Sequence, residues 1–217
     1  MNWKLKESTK NQKKRISDIL NILKKEYPDV KIQLNFENHF ELLVATILSA
    51  QCTDARVNMV TEKLFKKYNQ PEDYIEVSEE ELEKDIFSTG YYKAKARHIK
   101  AAAKTIINDY GGNVPSNMED LLKIPGVGRK TANVLLGHCF NTPGIVVDTH
   151  VIRIANRLGF INTKDPYKIE KKLNDLIQKD EWVSFTHYFI NHGRKICTSR
   201  KAKCSECVIS NLCPSAQ

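Results

Sequence analysis

The 217-residue chain contains no uninterrupted run of about 18 apolar residues, so no transmembrane helix is expected. Its basic N-terminus (MNWKLKESTKNQKKR) has no apolar segment directly behind it, which argues against a secretory signal. Strand patterning is nearly missing as well, since period-two alternation survives only in the fragment Ile145–Val147. Low-complexity tracts and repeats of fixed period are absent. What is present is ordinary globular material, 41% hydrophobic and 28% charged, long enough for one large domain or two small ones. A cytoplasmic protein is the expectation.

Helical spacing fills most of the chain. Phe40, Leu43, Val44, Ile47 and Leu48 mark a helix within 36–50, and Val57, Val60, Leu64 and Tyr68 another over 54–68. Ser78 with Glu81 reads as a capping box opening a helix that ends before Gly90. Ile99, Ala103, Ile106 and Tyr110 line a long helix over 92–110, closed by Gly111-Gly112. Further helices are expected at about 116–123, 129–140, 149–158, 165–179 and 181–193. The fold class is therefore all-α. Breaks near Asp29–Asn35 and at Asn141–Gly144 suggest one bundle over 30–142 and a discontinuous second domain from 1–29 and 143–217.

Charge narrows the range of partners. Thirty-four Lys and Arg against 26 Asp and Glu give +8, which favours a polyanion. The bases are also segregated. Residues 193–204 (GRKICTSRKAKC) hold Arg194, Lys195, Arg200, Lys201 and Lys203 without an acid, whereas 79–85 (EEELEKD) is acidic. Four of the six cysteines, Cys197, Cys204, Cys207 and Cys213, follow one another as C-x6-C-x2-C-x5-C. In a cytosolic chain this cluster points to a metal, and its spacing leaves zinc and iron–sulfur both open. Cys52 and Cys139 stand in apolar helical contexts and read as buried structural thiols.

The strongest local signal is Leu121–Asn133 (LLKIPGVGRKTAN). Pro125 ends one helix, Gly126 and Gly128 bracket the turn, and Val127 is the apolar plug. A loop so poor in side chains, leading into a helix, offers backbone N–H groups to a phosphate oxygen. Lys130 stands in the first turn of that helix, where the dipole disfavours an ammonium and so favours the neutral, nucleophilic amine. A helix over 129–140 spans about 18 Å. An extended 143–147 segment retraces about 17 Å. Asp148 is thereby expected beside the helix start that carries Lys130. As the residue before a helical run, Asp148 also suits an N-cap, and the two roles are compatible.

The chain resembles the endonuclease III family of helix–hairpin–helix DNA glycosylases. The resemblance covers roughly residues 16–213 and rests on Phe40–Asp54 (FELLVATILSAQCTD), the hairpin, Val147–Val151 (VDTHV) and the four-cysteine tail. It implies a six-helix barrel domain, a second helical domain with a [4Fe–4S] cluster on Cys197, Cys204, Cys207 and Cys213, and a DNA cleft between the two. Lys130 matches the family's nucleophile toward C1′ of a damaged nucleotide, and Asp148 its catalytic aspartate. The hairpin Gly126, Val127, Gly128 and Arg129, with Arg200, Lys201 and Lys203, are the expected DNA contacts. Gln51 matches the glutamine that fills the space left by a flipped nucleotide. Tyr91 stands where family members often carry a leucine wedge, a departure that puts an aromatic suited to wedging or stacking at that position. His150 either faces the pocket or is a packed histidine.

The implied activity is a monomeric, nucleoid-associated DNA glycosylase and AP lyase for oxidised pyrimidines in duplex DNA. Two alternatives are a monofunctional mismatch glycosylase, against which Lys130 argues, and a non-catalytic DNA-binding module.

Overall fold

The computed structural model describes residues 7–216. Its helices run α1 (Thr9–Glu26), α2 (His39–Leu48), α3 (Asp54–Lys67), α4 (Pro71–Glu76), α5 (Glu79–Ile86), α6 (Tyr92–Tyr110), α7 (Met118–Leu121), α8 (Arg129–Cys139), α9 (Thr149–Arg157), α10 (Pro166–Leu176) and α11 (Trp182–Lys195). No strand occurs among the described residues; Ile145–Val147 carries no regular structure, and the Val146 N–H donates to Thr186 Oγ1 at 3.2 Å. Two compact units result, an inserted unit over 33–142 and a terminal unit from residues up to Ile32 and from Pro143 onward.

The inserted unit is organised around α2, buried at every position from Phe40 to Leu48. An apolar helix of this kind gains from burial on all sides, and each fully buried leucine contributes about 2 kcal/mol. The helix begins at His39, inside the expected 36–50 range. Asn38 Oδ1 accepts from the Glu41 N–H at 2.9 Å and Glu41 Oε2 accepts from the Glu37 N–H, which fixes the first turn there. Helices α3, α6 and α8 pack against α2. The buried stripe of α6 comprises Ala96, Ile99, Ala102, Ala103 and Ile106, together with Lys95. Gly111, with φ 59°, closes α6 in a left-handed cap, and the Gly112 N–H returns to the Ile106 carbonyl at 3.0 Å.

Some local expectations shift. Ser78 caps α5, its Oγ accepting from the Glu81 N–H at 3.1 Å. Glu81 does not return the bond, because its carboxylate is held by Lys67 Nζ at 2.6 Å. The helix expected at 116–123 is only Met118–Leu121, and α10 stops at Leu176 where Ile177 turns extended. Cys52 lies in the turn after α2, half-buried, and Cys139 is half-buried at the end of α8, so neither is a fully buried helical thiol.

In the terminal unit, α1, α9, α10 and α11 share a core that includes Ile16, Ile19, Leu23, Val151, Ile154, Leu173, Phe185 and Phe189. Arg15, from the basic N-terminal run, is drawn into this packing. Its guanidinium pairs with Glu7 at 2.7 Å, donates to the carbonyls of Leu158 and Leu212 at 2.9 and 3.1 Å, and lies over the Phe160 ring.

Candidate active site

The hairpin is built by local turn chemistry. Asn117 caps α7 through its side chain, which accepts from the Asp120 N–H at 2.9 Å. A turn then runs Ile124-Pro125-Gly126-Val127, closed by the Val127 N–H on the Ile124 carbonyl at 3.0 Å. Proline at its second position and a glycine with φ 81° at its third are what a type II turn requires. A side chain on Gly126 would also meet His98 Cβ at 3.0 Å. Val127 is buried and secures the turn to the core, with Leu121 and Ile124 beside it.

Gly128 obeys a different logic. Its φ is −95° and a Cβ there meets nothing within 4 Å, so neither backbone nor packing in the protein itself calls for glycine. It is the N-cap of α8 and supplies no capping side chain. The opening turn of α8 therefore faces outward with little side-chain bulk before it, and Lys130 is exposed in that turn.

Three non-glycine residues of the inserted unit lie in the left-handed region, Gln51 at φ 53°, Tyr91 at φ 50° and Asn141 at φ 49°. Gln51 projects from the turn after α2, and Tyr91 precedes α6 and is 66% exposed.

In the terminal unit, the buried Ile145 and Val147 anchor the segment leading to Asp148. Asp148 is half-buried and caps α9, with Oδ1 accepting from the Val151 N–H at 2.8 Å. His150 is packed within this unit. Arg153 Nη2 lies 3.0 Å from its Nδ1, and a Cβ on Gly193 would fall 2.5 Å from the same nitrogen. Burial lowers the His150 pKa, with Arg153 and Arg194 acting in the same direction and Asp148 against it.

The four tail cysteines line one cavity of about 280 Å³, together with His192, Arg157 and Ile154. Around one zinc ion, thiolates at about 2.3 Å would bring their sulfurs to roughly 4 Å of one another. Among the described residues no three Cys, His, Asp or Glu side chains converge as ligands of a single ion. Four thiols around one shared void are a donor set suited to a metal centre. Arg157 Nη1 donates to Cys197 Sγ at 3.1 Å and to the Thr198 carbonyl at 2.8 Å, and Cys207 Sγ lies 3.6 Å from His192 Nε2. His192 also meets the Tyr27 hydroxyl at 3.2 Å, and burial takes its pKa down to about 4. Arg200, Lys201 and Lys203 are exposed on the loop between the first two cysteines. Arg153, Arg157, His192 and Lys95 carry no motif in the sequence, and only the fold reveals their partners.

A helical fold, a tight glycine hairpin entering a helix with an early lysine, and a basic cysteine-rich tail define a DNA-handling protein of the helix–hairpin–helix class. Residues 44–179 match the family described as HhH-GPD superfamily base excision DNA repair protein, and the chain belongs to that superfamily. It is 47% identical to Endonuclease III of Synechocystis sp. over 95% of both chains, and 47% identical to Endonuclease III of Bacillus subtilis over 88% of both. The structure of a trapped Endonuclease III–DNA covalent intermediate superposes with a TM-score of 0.90 at 46% identity, covering 94% of this chain and 96% of that one.

Proposed function

We propose that Lys130 is the nucleophile and Asp148 the catalytic carboxylate of a DNA glycosylase and AP lyase acting in base excision repair. The observation that carries this reading is the near-complete likeness to an enzyme trapped covalently on DNA, in a chain that exposes a lysine at the exit of the hairpin. The neutral Lys130 amine attacks C1′ and the N-glycosidic bond breaks, its electron pair leaving with the base. The C1′–O4′ bond then opens, the nitrogen lone pair forming the iminium while O4′ takes up a proton; the iminium acidifies the C2′ proton, and loss of that proton expels the 3′ phosphate by β-elimination. Asp148 accepts the lysine proton and stabilises positive charge at the sugar. Only an amine forms an iminium, so the lyase step identifies the nucleophile. Oxidised pyrimidines in duplex DNA are the proposed substrates, and a monomer at the nucleoid the proposed working form.

In the same reading, Gln51 and Tyr91 enter the duplex where the nucleotide leaves it, and Gly126–Arg129 hold a phosphate. Cys197, Cys204, Cys207 and Cys213 hold a [4Fe–4S] cluster, which when bound cross-links the tail and presents Arg200, Lys201 and Lys203 to the backbone. No helix among the described residues is long and apolar enough to cross a membrane. The test is borohydride trapping on a duplex with one abasic site. The wild-type chain yields a covalent adduct and Lys130→Gln yields none; an adduct that persists in Lys130→Gln removes Lys130 from the mechanism.

A further inference from the structure

Lys95 is the one lysine in the buried stripe of α6, 3% exposed among Ala96, Ile99 and the core. Burying an ammonium is costly unless its protons are used. Here two are. Lys95 Nζ donates to the carbonyl of Leu48 and to the carbonyl of Thr89, each at 2.8 Å. Both acceptors end helices: Leu48 is the last residue of α2, and Thr89 the last of the 3-10 turn Phe87–Thr89. A cation is favoured at that end of a helix, where carbonyls lack partners. Thr89 is itself buried and held by its own hydroxyl, which donates to the Ile86 carbonyl at 2.8 Å.

The residues just beyond the two acceptors give the contact its meaning. Three positions after Leu48 stands Gln51, and two after Thr89 stands Tyr91, both with left-handed backbones that residues bearing a Cβ disfavour. Such conformations persist where the surroundings impose them. Local bonds tie each loop to its own preceding helix: the Ser49 hydroxyl donates to the Thr46 carbonyl at 2.8 Å, the Ala50 and Cys52 N–H groups reach the Ile47 and Ser49 carbonyls at 3.4 and 3.1 Å, and the Gly90 N–H reaches the Phe87 carbonyl at 3.3 Å. Each of these bonds acts within one loop and its own helix end. The shared anchor is the Lys95 ammonium.

We infer that Lys95 is a positioning residue that locks the Gln51 and Tyr91 loops in fixed register, so that both residues enter the duplex together. The inference rests on the proposed roles of Gln51 and Tyr91. A single buried ammonium holding both loop bases makes the two insertions one coordinated element. Removing it leaves two buried carbonyls without a donor and lets each loop relax independently.

The experiment compares strand cleavage at an abasic site in a duplex, where a wedge is needed, with the same site in a single strand, where none is. The duplex-to-single-strand rate ratio is measured under single-turnover conditions for the full chain and for Lys95→Met, Gln51→Ala, Tyr91→Ala and Lys95→Met/Gln51→Ala. Fluorescence of 2-aminopurine opposite the abasic site reports unstacking of the duplex. Lys95→Met is expected to lower the ratio by roughly ten- to hundredfold and to suppress the fluorescence rise. Adding Gln51→Ala to it should cost less than twofold more, because the loop is already unlocked. Lys95→Gln, which keeps a donor for one carbonyl, serves in the same cycle if Lys95→Met does not fold. A Lys95 variant that keeps the wild-type ratio, or whose loss multiplies independently with that of Gln51→Ala, overturns the inference while the roles of the two loops stand. Gln51→Ala and Tyr91→Ala variants that both keep the ratio overturn those roles, and the inference with them.

Discussion

The two hairpin glycines allow packing and DNA binding to be separated by one chemical change made two residues apart. At Gly126, alanine must adopt φ 81°, which costs about 1–2 kcal/mol for a left-handed residue. The new methyl also meets His98 Cβ at 3.0 Å and Cγ at 3.2 Å. His98 Cβ is fixed to the α6 backbone and cannot swing aside, so overpacking adds about 1–3 kcal/mol. At about 2–4 °C per kcal/mol for a chain of this size, Gly126→Ala should lower Tm by roughly 4–20 °C. At Gly128 the backbone is extended and nothing lies within 4 Å of a Cβ. Alanine is a poorer N-cap than glycine by about 0.5 kcal/mol, so Tm should move by no more than about 2 °C. If a phosphate closes on the start of α8, however, that methyl stands between them. Losing one charge-assisted N–H contact costs about 1.5–3 kcal/mol, or roughly ten- to hundredfold in Kd. Thermal melting by circular dichroism and anisotropy with an abasic-analogue duplex at fixed salt measure the two effects. A Gly128→Ala protein that melts as low as Gly126→Ala, or that binds DNA as tightly as wild type, would refute the reasoning.

Two other expectations concern the terminal unit. Asparagine caps helices about as well as aspartate, so Asp148→Asn should keep Tm within about 3 °C while the single-turnover rate of base removal falls by at least roughly a hundredfold; a rate loss that merely tracks unfolding would make Asp148 a cap and nothing more. For the tail, the purified chain should absorb near about 400 nm and carry about four irons, and Cys213→Ser should lose both; a colourless, zinc-loaded protein would refute the cluster.

Residues whose partners lie close along the chain were legible from sequence. Ser78, Gly111, Pro125 and Gly126 act within a turn or two of themselves, and the all-α class rests on the same periodicity. Asp148 was legible as a cap for that reason: its acceptor oxygen serves the N–H three residues on. Where legibility failed, a distant group competed for the side chain. Glu81 belongs by spacing to Ser78 but is captured by Lys67, fourteen positions away. Arg15 belongs to the basic N-terminal run, yet its carbonyl partner at Leu158 is 143 positions distant. Catalytic assignments drew on resemblance, since a lysine in a first helical turn is common in a chain with 34 cations.

Lys95 shows why this boundary matters for function. By pattern it is a polar interruption in an amphipathic helix, and the usual inference turns such a residue to solvent. Its inward orientation is stabilised by two carbonyls, 47 and 6 positions away, each at the end of a helical segment. Helix ends can be read from sequence, but which cation satisfies them depends on how the helices pack. Unsatisfied carbonyls at the ends of predicted helices can therefore be matched against lysines at wrong-facing positions. In this chain that match leads from the core to the two strained residues proposed to meet DNA.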